Sequence, residues 1–206
     1  WYEDERTILI KHESFAYTLP DIGSPQWIYL SSMGEEAAPV YDLISAHLDA
    51  HPDTRLAFQP GTYQIKLEAK KLAGIYTRAD VFFCNVDEAK RILKREESEI
   101  NMLLKGIREL GPKTVIITDG VKGAYAYHEN DMWYMPPYPD PKPPYERTGA
   151  GDAFASTVVS ALAMGKSIDE ALRWAPINSM SVVQKAGAQA GLLTLPEIEH
   201  FLERAP

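Results

Sequence analysis

Seven consecutive residues, Thr148-Gly149-Ala150-Gly151-Asp152-Ala153-Phe154, join two glycines and a carboxylate to the start of an apolar stretch. Glycines on either side of an alanine let the backbone turn sharply and approach a ligand closely. The N–H groups that open a helix have no partner within it, and the helix dipole adds roughly half a positive charge at that end. Such an opening is an anion hole for a phosphoryl group in transfer. Asp152 falls in the first turn beside it, where a carboxylate could take the proton of an attacking hydroxyl, the base role that phosphoryl transfer to an alcohol requires. Read plainly, the same residue is a first-turn aspartate that stabilises its helix by about 1 kcal/mol. The residue types leave both readings open.

A second group is Asn85-Val86-Asp87-Glu88. Asn85 and Glu88 are three apart, so on a first helical turn they share one face. An amide oxygen and a carboxylate on one face suit Mg²⁺, which takes oxygen ligands and keeps waters. They equally suit a capping box, with Asn85 as N-cap and Glu88 at the third helical position. Gly165-Lys166-Ser167 resembles a phosphate-binding P-loop only superficially. Position 160 is Ser160 rather than glycine, and a helix, not a strand, precedes. The five histidines (12, 47, 51, 128 and 200) show no metal-ligand spacing, so no zinc site is expected.

These residues need elements to hold them. Short apolar runs predict strands at 27–30, 55–58, 80–84, 113–118, 124–127 and 132–135. A charged extended segment covers 6–18. Helical spacing predicts helices over 37–50, 65–76, 86–93, 97–110, 150–164, 168–184 and 195–203. Six prolines in the nine residues 136–144 exclude a helix or a central strand there and imply a stiff surface loop. Strand–helix alternation implies crossover connections and a mostly parallel sheet with helices on both faces, a three-layer α/β/α architecture. In such sheets ligands bind outside the carboxyl ends of the strands.

Thr148 to Phe154, with the apolar helix that follows, resembles the second signature of the ribokinase-like (PfkB-type) carbohydrate kinases. The resemblance implies a ribokinase-like fold with a remnant of a small β lid at 1–20 and the nucleotide-binding and catalytic domain over 21–206. It implies Asp152 as catalytic base and Gly149, Ala150 and Gly151 as donors of the anion hole. Asn85 and Glu88 match the family's Asn-x-x-Glu motif, which acts on magnesium and phosphate. Thr118, Gly120 and Gly123 follow as nucleotide-phosphate contacts at the end of the strand before Asp119. The segment 178–191, with Asn178 and Gly187, is similar to the wall of the adenine pocket. The implied cofactors are ATP and Mg²⁺. The implied reaction is transfer of the ATP γ-phosphoryl group to a hydroxyl of a sugar or related small molecule. A nucleoside kinase or phosphofructokinase-type enzyme of the same fold, and a non-catalytic nucleotide-binding pseudokinase, are the alternatives.

Two departures from the family stand out. Where the signature usually opens on an aspartate that helps to bind a monovalent cation, this chain is read as having Arg147, which makes such a cation doubtful; its guanidinium would stand in for the ion or simply point to solvent. The chain also opens on a match to the middle of the family pattern, with the sugar-gripping residues expected upstream.

The net charge of −8 makes nucleic acid and anionic membrane poor partners. It does not exclude a phosphorylated ligand, because backbone dipoles bind phosphate on acidic proteins. No run of about 18 apolar residues is present, so no membrane span is expected. The single cysteine, Cys84, excludes an internal disulfide and fits a cytoplasmic location. In a strand it is read as a small buried hydrophobe. A homodimer would form through the lid sheet.

Overall fold

The computed structural model describes residues 16–96 and 99–205. Most of the expected extended segment and lid, residues 1–15, lies outside them, and residues 16–18 form no strand. The homodimer expected through that lid has its surface there too. Six strands form one sheet in chain order: β1 (Trp27–Leu30), β2 (Arg55–Phe58), β3 (Ala79–Asn85), β4 (Thr114–Thr118), β5 (Ala124–His128) and β6 (Asp131–Met135). β1 to β4 pair in parallel, with Tyr29 opposite Ala57, Phe58 opposite Phe82 and Asn85 opposite Thr118. A two-residue connection joins β5 to β6, and its Glu129 takes φ +53°. So short a link turns the chain straight back on itself. The sheet is therefore mostly parallel, as its near-continuous apolar runs predict.

The chain divides into two compact units. Of the described residues, the larger comprises 16–96, 99–119 and 125–133. Helix α1 (Ala38–Ala50) turns Val40, Tyr41, Ile44 and Leu48 inward, the one-face stripe of an amphipathic helix. Around the strands, Phe58 meets Tyr76 and Phe82 edge-on, at ring separations of 5.5 and 5.6 Å. All three rings are buried, and burying such a side chain contributes about 1.5–3 kcal/mol.

The helix expected over 65–76 is two: α2 (Thr62–Lys66) and α3 (Ala73–Arg78). In one continuous helix Glu68 would lie on the same stripe as buried Gln64 and Leu72. The backbone instead breaks at Glu68, at φ +67°, and the exposed carboxylate pairs with Lys94. Helix α4 (Val86–Leu93) follows β3 directly, and α5 (Ile100–Arg108) buries Leu103, Leu104 and Ile107 ahead of β4.

Of the described residues, the smaller unit comprises 120–124 and 134–205. Its centre is the antiparallel-by-loop pair α6 (Ala150–Ala163) and α7 (Ile168–Val182), followed by α8 (Leu195–Leu202). α6 buries Ala153, Phe154, Ala155, Thr157 and Val158. The proline-rich segment 136–144 is the irregular, largely exposed loop its composition implies. It is pinned by the Tyr138 hydroxyl, which donates to the Phe201 carbonyl at 2.9 Å.

Candidate functional site

In the larger unit, β3 and β4 end side by side. Asn85 is the last residue of β3 and Thr118 the last of β4, and the two are register partners. Asn85 is also the N-cap of α4. Its Oδ1 accepts the Glu88 N–H at 2.8 Å, while Glu88 Oε2 accepts the Asn85 N–H at 2.9 Å. The plain capping box is thus present. Each of these bonds uses one lone pair of its oxygen, so the amide oxygen and the carboxylate both keep further acceptor capacity.

No group of three or more His, Cys, Asp or Glu side chains able to hold a metal occurs among the described residues. Two oxygen groups fit a cation that keeps most of its waters, which is Mg²⁺ rather than Zn²⁺ or a fully caged Ca²⁺. Cys84, immediately before Asn85, is buried. That burial, and next the Glu88 carboxylate, push its thiol well above the usual range, so it is an inert packing residue.

In the smaller unit the glycine-rich turn is built from both sides. Gly149 caps α6 at φ +80°. A Cβ there would stand 2.5 Å from Ala188 Cβ and 2.7 Å from Ala188 Cα. Glycine is required twice, for the left-handed backbone and for the approach of the 185–191 segment. Gly151 is different: a Cβ there would meet nothing within 4 Å, so the space over the second residue of the helix is open. Asp152, the third residue of α6, is exposed on the same turn. Open space beside Gly151 and an exposed carboxylate therefore share one helix start. Gly187, at φ +82°, also borders open space and donates its N–H to Glu146 Oε1.

Three of the expected nucleotide contacts look different in place. Gly120, at φ +52°, has open space where a side chain would be. Gly123, at φ +93°, would drive a Cβ to 2.3 Å from the Met135 carbonyl oxygen, so chain packing alone demands glycine there. Asn178 is buried in α7. Its Nδ2 donates to Thr157 Oγ1 at 2.8 Å and its Oδ1 accepts the Leu193 N–H at 2.9 Å. These two bonds tie α6, α7 and the residue-193 loop together.

Glu146 is the residue the sequence reading missed. It is 6% exposed, and its Oε2 accepts the Thr148 hydroxyl at 3.0 Å while Oε1 takes Gly187. Arg147 is half-buried beside it. Glu146, one residue before Arg147, places a buried carboxylate at the opening of the signature. An acidic residue next to a glycine turn was the available signal.

A mostly parallel sheet with flanking helices, its strand ends and a glycine-rich helix start carrying the polar groups, defines a ribokinase-type α/β protein. Comparison with known proteins agrees. Residues 4–195 match the pfkB family carbohydrate kinase domain. The chain belongs to the pfkB family of carbohydrate kinases. It is 37% identical over 93 residues to ribokinase of Bacillus subtilis, covering 45% of this chain and 31% of that one. It is 29% identical over 155 residues to 5-dehydro-2-deoxygluconokinase of the same organism, covering 72% and 46%.

Among solved structures, the nucleoside kinase of Methanocaldococcus jannaschii superposes with a TM-score of 0.73 at 20% identity, over 90% of this chain and 58% of that one. An E. coli protein described as a candidate ribokinase II, in complex with ATP and Mg²⁺, superposes with a TM-score of 0.74 at 22% identity, over 87% and 59%. These likenesses establish the three-layer α/β/α fold. The matches span between about a third and a half of the length of the curated relatives.

Proposed function

We propose that the protein transfers the γ-phosphoryl group of ATP to a hydroxyl of a sugar or sugar-like small molecule, with Asp152 as the base. The observation that carries this reading is the start of α6: an exposed carboxylate on the same turn as Gly151, where a side chain would meet only open space. Helix-start N–H groups at Gly149, Ala150 and Gly151 stabilise the charge on the phosphoryl oxygens as the group leaves ADP. Asp152 accepts the proton of the acceptor hydroxyl as its oxygen forms the new P–O bond. Gly120 and Gly187, each bordering open space, and Thr118 at its strand end contact the nucleotide.

Asn85 and Glu88, fixed by their mutual caps, hold Mg²⁺ through water. The ion's chemistry is to neutralise charge on the nucleotide phosphates. ATP and Mg²⁺ are supported by the ribokinase-fold neighbour that carries both. Sugars and nucleosides are the acceptor classes named among the relatives and neighbours. A cytoplasmic location fits an ATP-dependent enzyme with one buried thiol.

The test is ADP formation from ATP with Mg²⁺ on incubation of the intact protein with a panel of sugars, ketoses and nucleosides. ADP release that depends on one member of the panel is expected. Tight ATP binding with no acceptor-dependent ADP release from any member would instead make the protein a nucleotide-binding pseudokinase.

A further inference from the structure

Gln64, in α2 of the larger unit, is 1% exposed, the least of the buried polar side chains among the described residues. Its Oε1 accepts the Gly61 N–H at 2.9 Å, the ordinary work of a third-position glutamine toward the residue that caps its helix. Two further bonds reach a different loop. Oε1 also accepts the Met33 N–H at 3.3 Å, and Nε2 donates to the Ser31 carbonyl at 2.9 Å. Capping a five-residue helix needs neither. One buried amide therefore joins residues 59–61, which follow β2, to residues 31–34, which follow β1.

β1 to β4 run parallel, so both loops leave the sheet on the side where β3 ends in Asn85 and β4 in Thr118. Among the described residues, main-chain bonding between the β1 and β2 chains ends with the Gln59 N–H on the Leu30 carbonyl, at 2.9 Å. Past that bond the loops still touch: a Cβ on Gly61 would stand 2.5 Å from Ser32 Cβ. Gln64 answers two main-chain donors and one acceptor there, groups that are costly to bury without partners. Ligands of such sheets bind outside these strand ends. The ends of β3 and β4 carry the residues read above as holding metal and nucleotide. The neighbouring loops, 31–34 and 59–61, bear hydroxyl and amide side chains and no charge, groups that hydrogen-bond the hydroxyls of a neutral acceptor.

We propose that Gln64 is a positioning residue for the phosphoryl acceptor: by tying the 31–34 and 59–61 loops together it holds the ends of β1 and β2 in the arrangement that binds the acceptor. The functional half rests on the kinase reading above, while the tie itself stands on geometry. Loosening the tie should weaken acceptor binding and spare the nucleotide, whose contacts lie on other strand ends and loops. Two substitutions loosen it differently. Gln64→Met keeps nearly the same length and volume but removes the amide that makes all three bonds. Gly61→Ala leaves the amide in place and wedges a methyl group against Ser32.

The experiment measures four quantities in the intact protein and in both variants: kcat and acceptor KM with the acceptor found in the panel, the dissociation constant for ADP, and amide hydrogen exchange over 31–34 and 59–61. In Gln64→Met we expect acceptor KM raised by about tenfold or more, the scale of one to two lost hydrogen bonds, with exchange in both loops faster by about tenfold. kcat and ADP affinity should stay within about threefold of wild type. Gly61→Ala should shift acceptor KM in the same direction with the same sparing of ADP. A Gln64→Met protein with wild-type acceptor KM would overturn the proposal. So would a loss shared equally by ADP affinity, which is what general loosening of the fold produces. If Gln64→Met does not fold, Gly61→Ala decides, and a wild-type acceptor KM there refutes the tie. Should the unaltered protein release no ADP with any acceptor, the kinase reading falls, and exchange alone still decides whether Gln64 couples the two loops.

Discussion

Asn178 and Asp152 are both polar residues of the α6–α7 pair, and their surroundings give them opposite work. Asn178 spends its amide inside the fold on Thr157 and Leu193, whereas Asp152 stands exposed at a helix start. Replacing Asn178 by alanine strands the Leu193 N–H and should destabilise the protein by about 1–3 kcal/mol. ADP affinity of the folded protein should stay unchanged. A thermal melt together with an ADP titration separates the two effects; tenfold weaker ADP binding at an unchanged melting temperature would place Asn178 at the nucleotide site. Residue identity alone could not make this distinction, because an asparagine in a helix reads the same whether it faces a ligand or a neighbouring helix. Glu146 escaped notice for the complementary reason. Beyond the local signal of an acid beside a glycine turn, one of its partners, Gly187, lies 41 positions away in the chain.

The elements were more legible than the residues. The spans of β1, β2 and α4 are the ones the apolar spacing predicts, because each is a short run bounded by turn or capping residues. The 65–76 stretch has the spacing of one helix but forms parts of two, α2 and α3, with the break at Glu68. The cost of burying Glu68 breaks it.

Helix starts carry a pH signature of their own. Glu170 at the start of α7 is held below its ordinary value, first by the Ser167 backbone N–H, then by the Ser167 hydroxyl and by Lys166. Glu197 at the start of α8 is held low by the Thr194 hydroxyl and then the Thr194 N–H. A carboxylate whose folded-state pKa is depressed contributes stability that is complete above its unfolded value, ordinarily 4.5 here, and is lost as pH falls through the lower folded value. The melting temperature should therefore drop more between about pH 6 and about pH 3 in the wild type than in the Glu170→Gln/Glu197→Gln double variant. Parallel pH profiles would show that these caps do not contribute.

At the scale of the whole molecule, the family is legible because one short signature survives intact from Thr148 to Phe154, and the match over residues 4–195 agrees with it. The acceptor is not legible, since the chain spans between about a third and a half of its curated relatives and no residue within it names a sugar. Net charge of −8 leaves local dipoles, not the overall field, to attract a nucleotide.

The central claim is that Asp152 is a base at an anion hole and not merely the first-turn acid of α6. Turnover and ADP affinity of Asp152→Asn, compared with the wild type on the acceptor found in the panel, test it most directly. Asparagine keeps the size and the helix position but cannot take a proton. The account predicts kcat lower by roughly 10²–10⁴-fold with ADP binding within about threefold of wild type. An asparagine variant turning over near the wild-type rate would contradict it.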